Sequence, residues 1–285
     1  MIPVAFEYYS PRSLSEAVAV LSAHKEDVKV LSGGQSLLPL MKMRLSKPGH
    51  VVDIGRIPGL DSIIEEENSI VVGAMATHAQ LESSELLKAR CPLLSQTATT
   101  IADVQVRNRG TIGGSIAHAD PAGDMPAAIL ALEAEIKAFG PNGERWIKAE
   151  DFFLGLLMSV LEPDEIVTAV KVPVTAGEKT AYLKAAPRSS GFAVVGVALR
   201  IALDGFGACS RTAVGITGVT DKAYRAERVE KTLLGKKLDM QLTETAAAEA
   251  THNIEVIEDI NGSIEYRTHL THIYVARAIQ AALQS

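Results

Sequence analysis

The apolar positions of this chain change period several times, and each change predicts an element. Leu14, Ala17, Val18 and Leu21 recur at helical spacing behind Ser13-Leu14-Ser15-Glu16, which has the Ser-x-x-Glu form of a capping box, so a helix is expected from Ser13 to Ala23. Val28 to Leu31 and Val51 to Ile54 are short apolar runs that read as strands, and Leu37 to Leu45 between them is helical or turn-like around Pro39. The result is an opening unit of strand, helix, strand, loop and strand that ends at the turn-forming Ile57-Pro58-Gly59.

Beyond that turn, Ser62 to Ile64 and Ile70 to Gly73 form a hairpin around Glu65 to Asn68. Thr77 caps a helix running to Lys88, and a further helix runs from Pro92 to Asp103. Val104 to Gly110 reads as a loop, and Asp124 as the cap of a helix from Met125 to Leu132. Strands follow at Glu135 to Phe139, Arg145 to Ile147 and Glu165 to Val172, the first two joined by Pro141-Asn142-Gly143. Pro173 to Glu178 reads as a linker. Three strand-like runs come next, Thr180 to Ala185, Phe192 to Leu203 and Arg211 to Gly218, and two or three helices close the chain, the last from Tyr266 to Leu283.

With 285 residues, 47% of them apolar, there is material for two ordinary domains or three small ones. A formal net charge of -6 with both signs interspersed excludes the field that attracts nucleic acid or an anionic membrane. Met1 to Ser10 has neither a basic nor a long apolar region, and the most apolar stretch, Ala193 to Leu203, is short and carries Arg200. A cytoplasmic chain without a transmembrane segment is expected. Cys91 and Cys209 lie far apart in apolar or small-residue surroundings, so they read as buried thiols, and two cysteines cannot ligate an all-cysteine iron–sulfur cluster.

The chemistry concentrates in two glycine turns, Ser32-Gly33-Gly34-Gln35-Ser36 and Thr111-Ile112-Gly113-Gly114-Ser115. Neither has the GxGxxG of a Rossmann unit or the GxxxxGK[ST] of a P-loop. Without a Cβ the backbone can bring several N–H groups close to an anion, so the pair suggests a clasp for one long phosphate-bearing cofactor, with the Ser36, Thr111 and Ser115 hydroxyls adding bonds. Two tight strand-to-helix turns without a ligand are the plainer reading. Ser115, His118 and Asp120 are too close in sequence to converge as a triad. His269 and His272 share a helix face with no third ligand, and Arg107 and Arg109 either flank the cofactor loop, meet a partner or sit in a solvated loop.

Leu31-Ser32-Gly33-Gly34-Gln35-Ser36-Leu37-Leu38-Pro39 followed by Met41-Lys42-Met43-Arg44-Leu45, with Val106-Arg107-Asn108-Arg109-Gly110-Thr111-Ile112-Gly113-Gly114-Ser115, resembles the paired FAD motifs of the molybdenum hydroxylase flavoprotein subunit. That is the medium subunit of the carbon monoxide dehydrogenase type within the xanthine dehydrogenase family. The resemblance continues through Ala117-His118-Ala119-Asp120-Pro121 and Asp124-Met125-Pro126 to Gly262-Ser263-Ile264-Glu265-Tyr266-Arg267. It implies an α+β fold: a PCMH-type FAD-binding fold of two subdomains, then a CO-dehydrogenase flavoprotein C-terminal domain with a three-stranded antiparallel sheet and helices. The corresponding domains are 1–57, 58–176 and 177–285.

By motif position the resemblance implies FAD contacts at Leu31, Ser32, Gly33, Gly34, Gln35, Ser36, Leu37, Leu38, Ile101, Thr111, Ile112, Gly113, Gly114, Ser115, Asp124, Val167 and Lys184. Asp124 is either an acceptor for ribose or ribityl hydroxyls or a plain helix cap. Lys184 is either a cation near the flavin's pyrimidine edge, in which case Lys184→Met lowers the flavin potential with occupancy intact, or a solvated strand lysine. No side chain is expected to act as a catalytic group or a metal ligand.

The resemblance further implies a dimer of heterotrimers, with a large subunit holding the molybdenum cofactor and a small subunit holding two [2Fe–2S] clusters, from which this chain passes electrons to an external acceptor. The cysteine-rich insertion that carries an extra [4Fe–4S] cluster in some members is not expected. Gln35, Ser115 and Ser190-Gly191-Phe192 depart from the carbon monoxide pattern, and Gln35, Arg107-Asn108-Arg109 and Ser115 lean toward an aldehyde or N-heterocycle as the substrate of the molybdenum subunit. The competing readings are a stand-alone PCMH-type flavin reductase or oxidase, and an assembly or binding protein without flavin.

Overall fold

Three larger sheets, one parallel and two antiparallel, follow one another along the described residues, beside a two-stranded hairpin. The computed structural model describes residues 2–187 and 191–284. Strands β1 (Glu7–Tyr9), β2 (Val28–Leu31) and β3 (His50–Asp53), with helices α1 (Leu14–Ala23) and α2 (Leu37–Lys42) between them, form a parallel sheet in the order β1-β3-β2. Ser13 caps α1 by accepting from the Glu16 N–H, while the Glu16 carboxylate reaches the Arg12 N–H, so the box is displaced by one residue. Ala17, Val18 and Leu21 bury the predicted face.

A second, antiparallel sheet runs β4-β5-β10-β6-β7, from β4 (Ile63–Glu66), β5 (Ser69–Gly73), β6 (Glu135–Gly140), β7 (Gly143–Lys148) and β10 (Ile166–Pro173). Between β5 and β6 come α3 (His78–Ser83), α4 (Glu85–Arg90), α5 (Pro92–Thr99), α6 (Val104–Arg107), α7 (Ile112–His118) and α8 (Asp124–Ala131). After β7 come α9 (Ala149–Phe152) and the small hairpin β8 (Phe153–Gly155) and β9 (Met158–Ser159). Every residue of α8 is buried. A helix apolar all round has to be enclosed, and α8 lies between α5 and the third sheet.

The third sheet is antiparallel, β11 (Lys179–Ala185), β12 (Val195–Leu203), β13 (Cys209–Thr217) and β14 (Tyr224–Arg225), followed by α10 (Glu227–Leu233), α11 (Met240–Ala248) and α12 (Ile264–Gln284). The expected three strands thus gain a two-residue fourth. Strand β12 reads as a nearly unbroken apolar run because α12 covers one face and α8 the other. Its exception, Arg200, is fully buried and reaches Glu133 and Glu178.

Several expected boundaries move. The helix expected from Thr77 to Lys88 breaks at Ser84, whose extended backbone and hydroxyl cap α4. The helix expected from Pro92 to Asp103 stops at Thr99, because Ala102 has a left-handed φ of 39° and Asp103 turns to cap α6 where a loop was expected. The second glycine turn is the first turn of α7, capped by Thr111. Gly123, not Asp124, occupies the cap of α8. Ser190 lies outside the described residues. Among those described, no helix is long and apolar enough to cross a membrane. Cys91 and Cys209 are both free and buried, and burial pushes the Cys91 thiol up to about 12.

Candidate functional site

The two glycine turns meet across a cleft of about 820 Å³ between the first and second sheets. The Thr111 hydroxyl, 79 positions from Ser32, donates to the Ser32 hydroxyl at 3.2 Å and accepts from the Gly114 N–H at 3.1 Å. The glycines permit this approach. A Cβ on Gly33 would stand 2.1 Å from the Arg109 carbonyl oxygen, one on Gly113 2.4 Å from the Ala74 Cβ, and one on Gly114 2.6 Å from the Ser32 Oγ. Gly34 has a left-handed φ of 73°. Thr111→Val keeps the shape but removes both bonds. It is expected to cost roughly 1–2 kcal/mol in urea unfolding, and an unchanged midpoint would show that the hydroxyl holds neither loop.

The turns differ in what their backbones have left to give. In the second, Ile112 N–H donates to Ala76, Gly113 N–H to Ala74, and Gly114 and Ser115 N–H back to Thr111. The expectation that this turn donates its run of N–H groups to an anion is therefore corrected: α7 and the β5–α3 connection use them. In the first turn, the N–H groups of Gly33, Gly34, Gln35, Ser36 and Leu37 have no acceptor among the described residues. Gln35 folds its amide onto the Gly33 carbonyl at 3.1 Å, so it shapes its own turn.

Of the predicted contacts, Ser32, Gly33, Gly34, Gln35, Ser36 and Leu37 line the cleft from one side. Ile101, Thr111, Gly113, Gly114, Ser115, Asp124 and Val167 line it from the other elements. Four positions lie off this wall. Leu31 and Leu38 pack beside Gly34, Ile112 is wholly buried in the core, and Lys184 stands behind Asp124.

Lys184 is neither solvated nor turned to the cleft. Its ammonium, on a side chain 8% exposed, donates to the Thr100 carbonyl at 2.7 Å, the Gly191 carbonyl at 2.8 Å and Asp124 Oδ2 at 3.0 Å. Burial pushes the Asp124 carboxyl up, and the Lys184 charge and the Tyr182 hydroxyl pull it back.

Arg107 is likewise no solvated loop residue. It pairs with Glu82 and donates to the Ile101 and Ala102 carbonyls, fixing the strained segment that presents Ile101 to the cleft. His118 and Asp120 line the cleft 3.9 Å apart, Asp120 caps the Ala122 N–H, and among the described residues no hydrogen bond joins the Ser115 hydroxyl to either. His272 bonds the Thr251 hydroxyl.

Sequence reasoning missed His78, which lines the cleft under Gly110. Burial drives it down to about 4, so the ring is neutral, and its buried Nδ1 has no partner among the described residues. It also missed Tyr182, a tyrosine in an apolar strand that nothing local distinguishes.

The fold and cleft define a cofactor-binding protein of two matched parts: residues 4–175 match the FAD binding domain in molybdopterin dehydrogenase, and residues 180–282 the CO dehydrogenase flavoprotein C-terminal domain. The chain is 43% identical over 283 residues to the carbon monoxide dehydrogenase medium chain of Hydrogenophaga pseudoflava, covering 99% of this chain and 98% of that one. It is 35% identical to the 6-hydroxypseudooxynicotine dehydrogenase complex subunit alpha of Paenarthrobacter nicotinovorans, covering 99% and 96%. Its fold superposes with a TM-score of 0.97, at 44% identity and over 100% and 99% of the two chains, on the carbon monoxide dehydrogenase of Hydrogenophaga pseudoflava that lacks the Mo-pyranopterin moiety of its molybdenum cofactor. The chain belongs to the FAD-binding medium subunits of the molybdenum-dependent dehydrogenases of the carbon monoxide dehydrogenase type.

Proposed function

We propose that the cleft holds FAD with its pyrophosphate against the first glycine turn. The observation that carries this is the run of five N–H groups, Gly33 to Leu37, without an acceptor among the described residues, in a turn whose Gly33 has no room for a Cβ. Ser32, Thr111 and Ser115 supply hydroxyls, Gly114 lets the second turn close on the first while Gly113 lets it pack on Ala74, Ile101 and Val167 give apolar walls, and Asp124 offers acceptors to cofactor hydroxyls. Bound FAD supplies one- and two-electron chemistry that no side chain offers. The chain's own part is to hold it, exclude water and set its surroundings.

In this reading the chain is the electron-relaying subunit of a cytoplasmic dimer of heterotrimers. It takes electrons from two [2Fe–2S] clusters on a small subunit and passes them to an external acceptor, while carbon monoxide, an aldehyde or an N-heterocycle is oxidised on the large molybdenum subunit. Gln35 is turned onto its own loop, and the choice among these substrates lies with the large subunit. In this reading the domains are 1–57, 58–176 and 177–285; the three hydrophobic clusters draw mainly on these ranges, with Leu60 and Ile166 packed in the first cluster and Tyr182, Ala198 and Ala223 in the second.

Purification of the native complex tests both parts. FAD, molybdenum and iron together support the reading, FAD without either metal defeats the heterotrimer, and a folded chain that takes up no FAD on reconstitution defeats the cleft assignment. Activity as a single purified chain would favour the stand-alone flavin enzyme.

A further inference from the structure

The C-terminal sheet reaches the cleft through alternate side chains of β11. Leu183 turns into the C-terminal core, while Tyr182 and Lys184, two apart on the strand, turn toward α8. Both meet one carboxylate. The Tyr182 hydroxyl donates to Asp124 Oδ1 at 2.5 Å and Lys184 Nζ to Oδ2 at 3.0 Å. Room for that hydroxyl exists because residue 196 is glycine, where a Cβ would stand 2.5 Å from it. The turn before α8 is held by the same sheet: Thr217 Oγ1 lies 2.6 Å from the Pro121 carbonyl and 2.8 Å from that of Gly123, and the Gly218 N–H donates to Pro121 at 2.7 Å. Asp124 is 5% exposed and lines the cleft, and an ionised carboxylate keeps acceptor capacity after two bonds.

We infer that Tyr182 is a positioning residue for the cofactor cleft: acting through Asp124, it lets the C-terminal domain hold a carboxylate in place on the cleft wall. The inference rests on the FAD reading above. A tyrosine serving only the core would be replaceable by phenylalanine without consequence for the cleft. One serving Asp124 would not, because the hydroxyl both fixes Oδ1 and favours the charged form of a carboxyl that burial pushes the other way. Among the described residues the charged groups around Asp124 are few. Lys184 faces it from β11, His118 and Asp120 line the same cleft, α5 presents the Thr100 carbonyl at its end, and α8 has no other titratable side chain.

The test uses the full chain loaded with FAD, following release on dilution by the return of flavin fluorescence. Tyr182→Phe is expected to release FAD roughly tenfold faster, the loss of one hydrogen bond to a charged group. The gap should widen as the pH falls, since the carboxyl without its hydroxyl partner takes up a proton at a higher pH. Asp124→Asn should release FAD at least as fast, and adding Tyr182→Phe to it should change the rate by no more than about twofold, because the tyrosine then has no carboxylate to act through.

A wild-type release rate in Tyr182→Phe overturns the inference, as do additive effects of the two substitutions. Should Asp124→Asn not fold, the pH profile of Tyr182→Phe decides alone: one diverging from wild type toward acid supports the role, and a parallel one overturns it. If the wild-type chain holds no FAD, the cofactor reading itself has failed, which is a separate result.

Discussion

Gly33→Ala should leave the purified protein with almost no flavin. The added Cβ would stand 2.1 Å from the Arg109 carbonyl oxygen and 2.8 Å from both its carbon and the Gly110 Cα, all backbone atoms that cannot rotate away. The two turns must therefore separate. Separation breaks the Thr111–Ser32 bond and misaligns the N–H groups from Gly33 to Leu37. Losing two or three such donors weakens FAD binding by roughly a hundredfold, at about 1 kcal/mol each. Overpacking itself costs about 1–3 kcal/mol of stability.

Gly205→Ala is the matched control, since a Cβ there meets nothing within 4 Å, and it should keep its flavin and its melting temperature. Flavin absorbance per protein and a thermal melt read both effects. A Gly33→Ala protein with full flavin would mean that these turns do not form the clasp.

Lys184→Met should cost stability first. Taking the ammonium away leaves the Thr100 and Gly191 carbonyls without a donor and Asp124 without its counter-charge, in a place where both side chains are nearly dry. Breaking one side of a buried pair costs about 3–5 kcal/mol, which for a chain of this size lowers the melting temperature by on the order of 10 °C.

The pH dependence has a definite sign. Burial already raises the folded-state Asp124 carboxyl, and losing Lys184 raises it further. A carboxyl raised in the folded state favours folding at pH values below its unfolded range, and that contribution is lost as the pH rises through the folded value. The deficit of Lys184→Met relative to wild type is therefore largest at neutral pH and shrinks toward acid. Melts across that range check it, and a variant as stable as wild type at neutral pH would sink the account. The family resemblance alone led to a lowered flavin potential with occupancy intact. The ammonium's three bonds inside the protein move the expected effect from potential to folding.

Local patterns carried much of the fold. Ser13 and Glu16 marked the start of α1, the spacing of Leu14, Ala17, Val18 and Leu21 its buried face, and the apolar run from Phe192 to Leu203 a strand. These features depend on neighbours within a few residues, so the sequence displays them. The break at Ser84 was harder to read because serine serves equally well on a solvated helix face, and the choice falls to the packing of α3 and α4 on α5. Asp124 looked like a helix cap because an Asp ahead of an apolar run usually is one; what drew it elsewhere was a tyrosine and a lysine about sixty positions later.

By itself the sequence determined the α+β succession of elements, the two glycine turns and, through their flanking residues, the family and its cofactor. Tertiary structure alone decided which of those glycine-turn amides are free. The second turn uses its N–H groups from Ile112 to Ser115 on α7 and on Ala74 and Ala76, while the first leaves five without acceptors among the described residues. It also decided that Lys184 faces inward, to a carboxylate, rather than outward to solvent or to the cleft. The reason is physical: a hydrogen-bonding group shows its chemistry in the sequence, but its availability depends on which distant groups have already taken it.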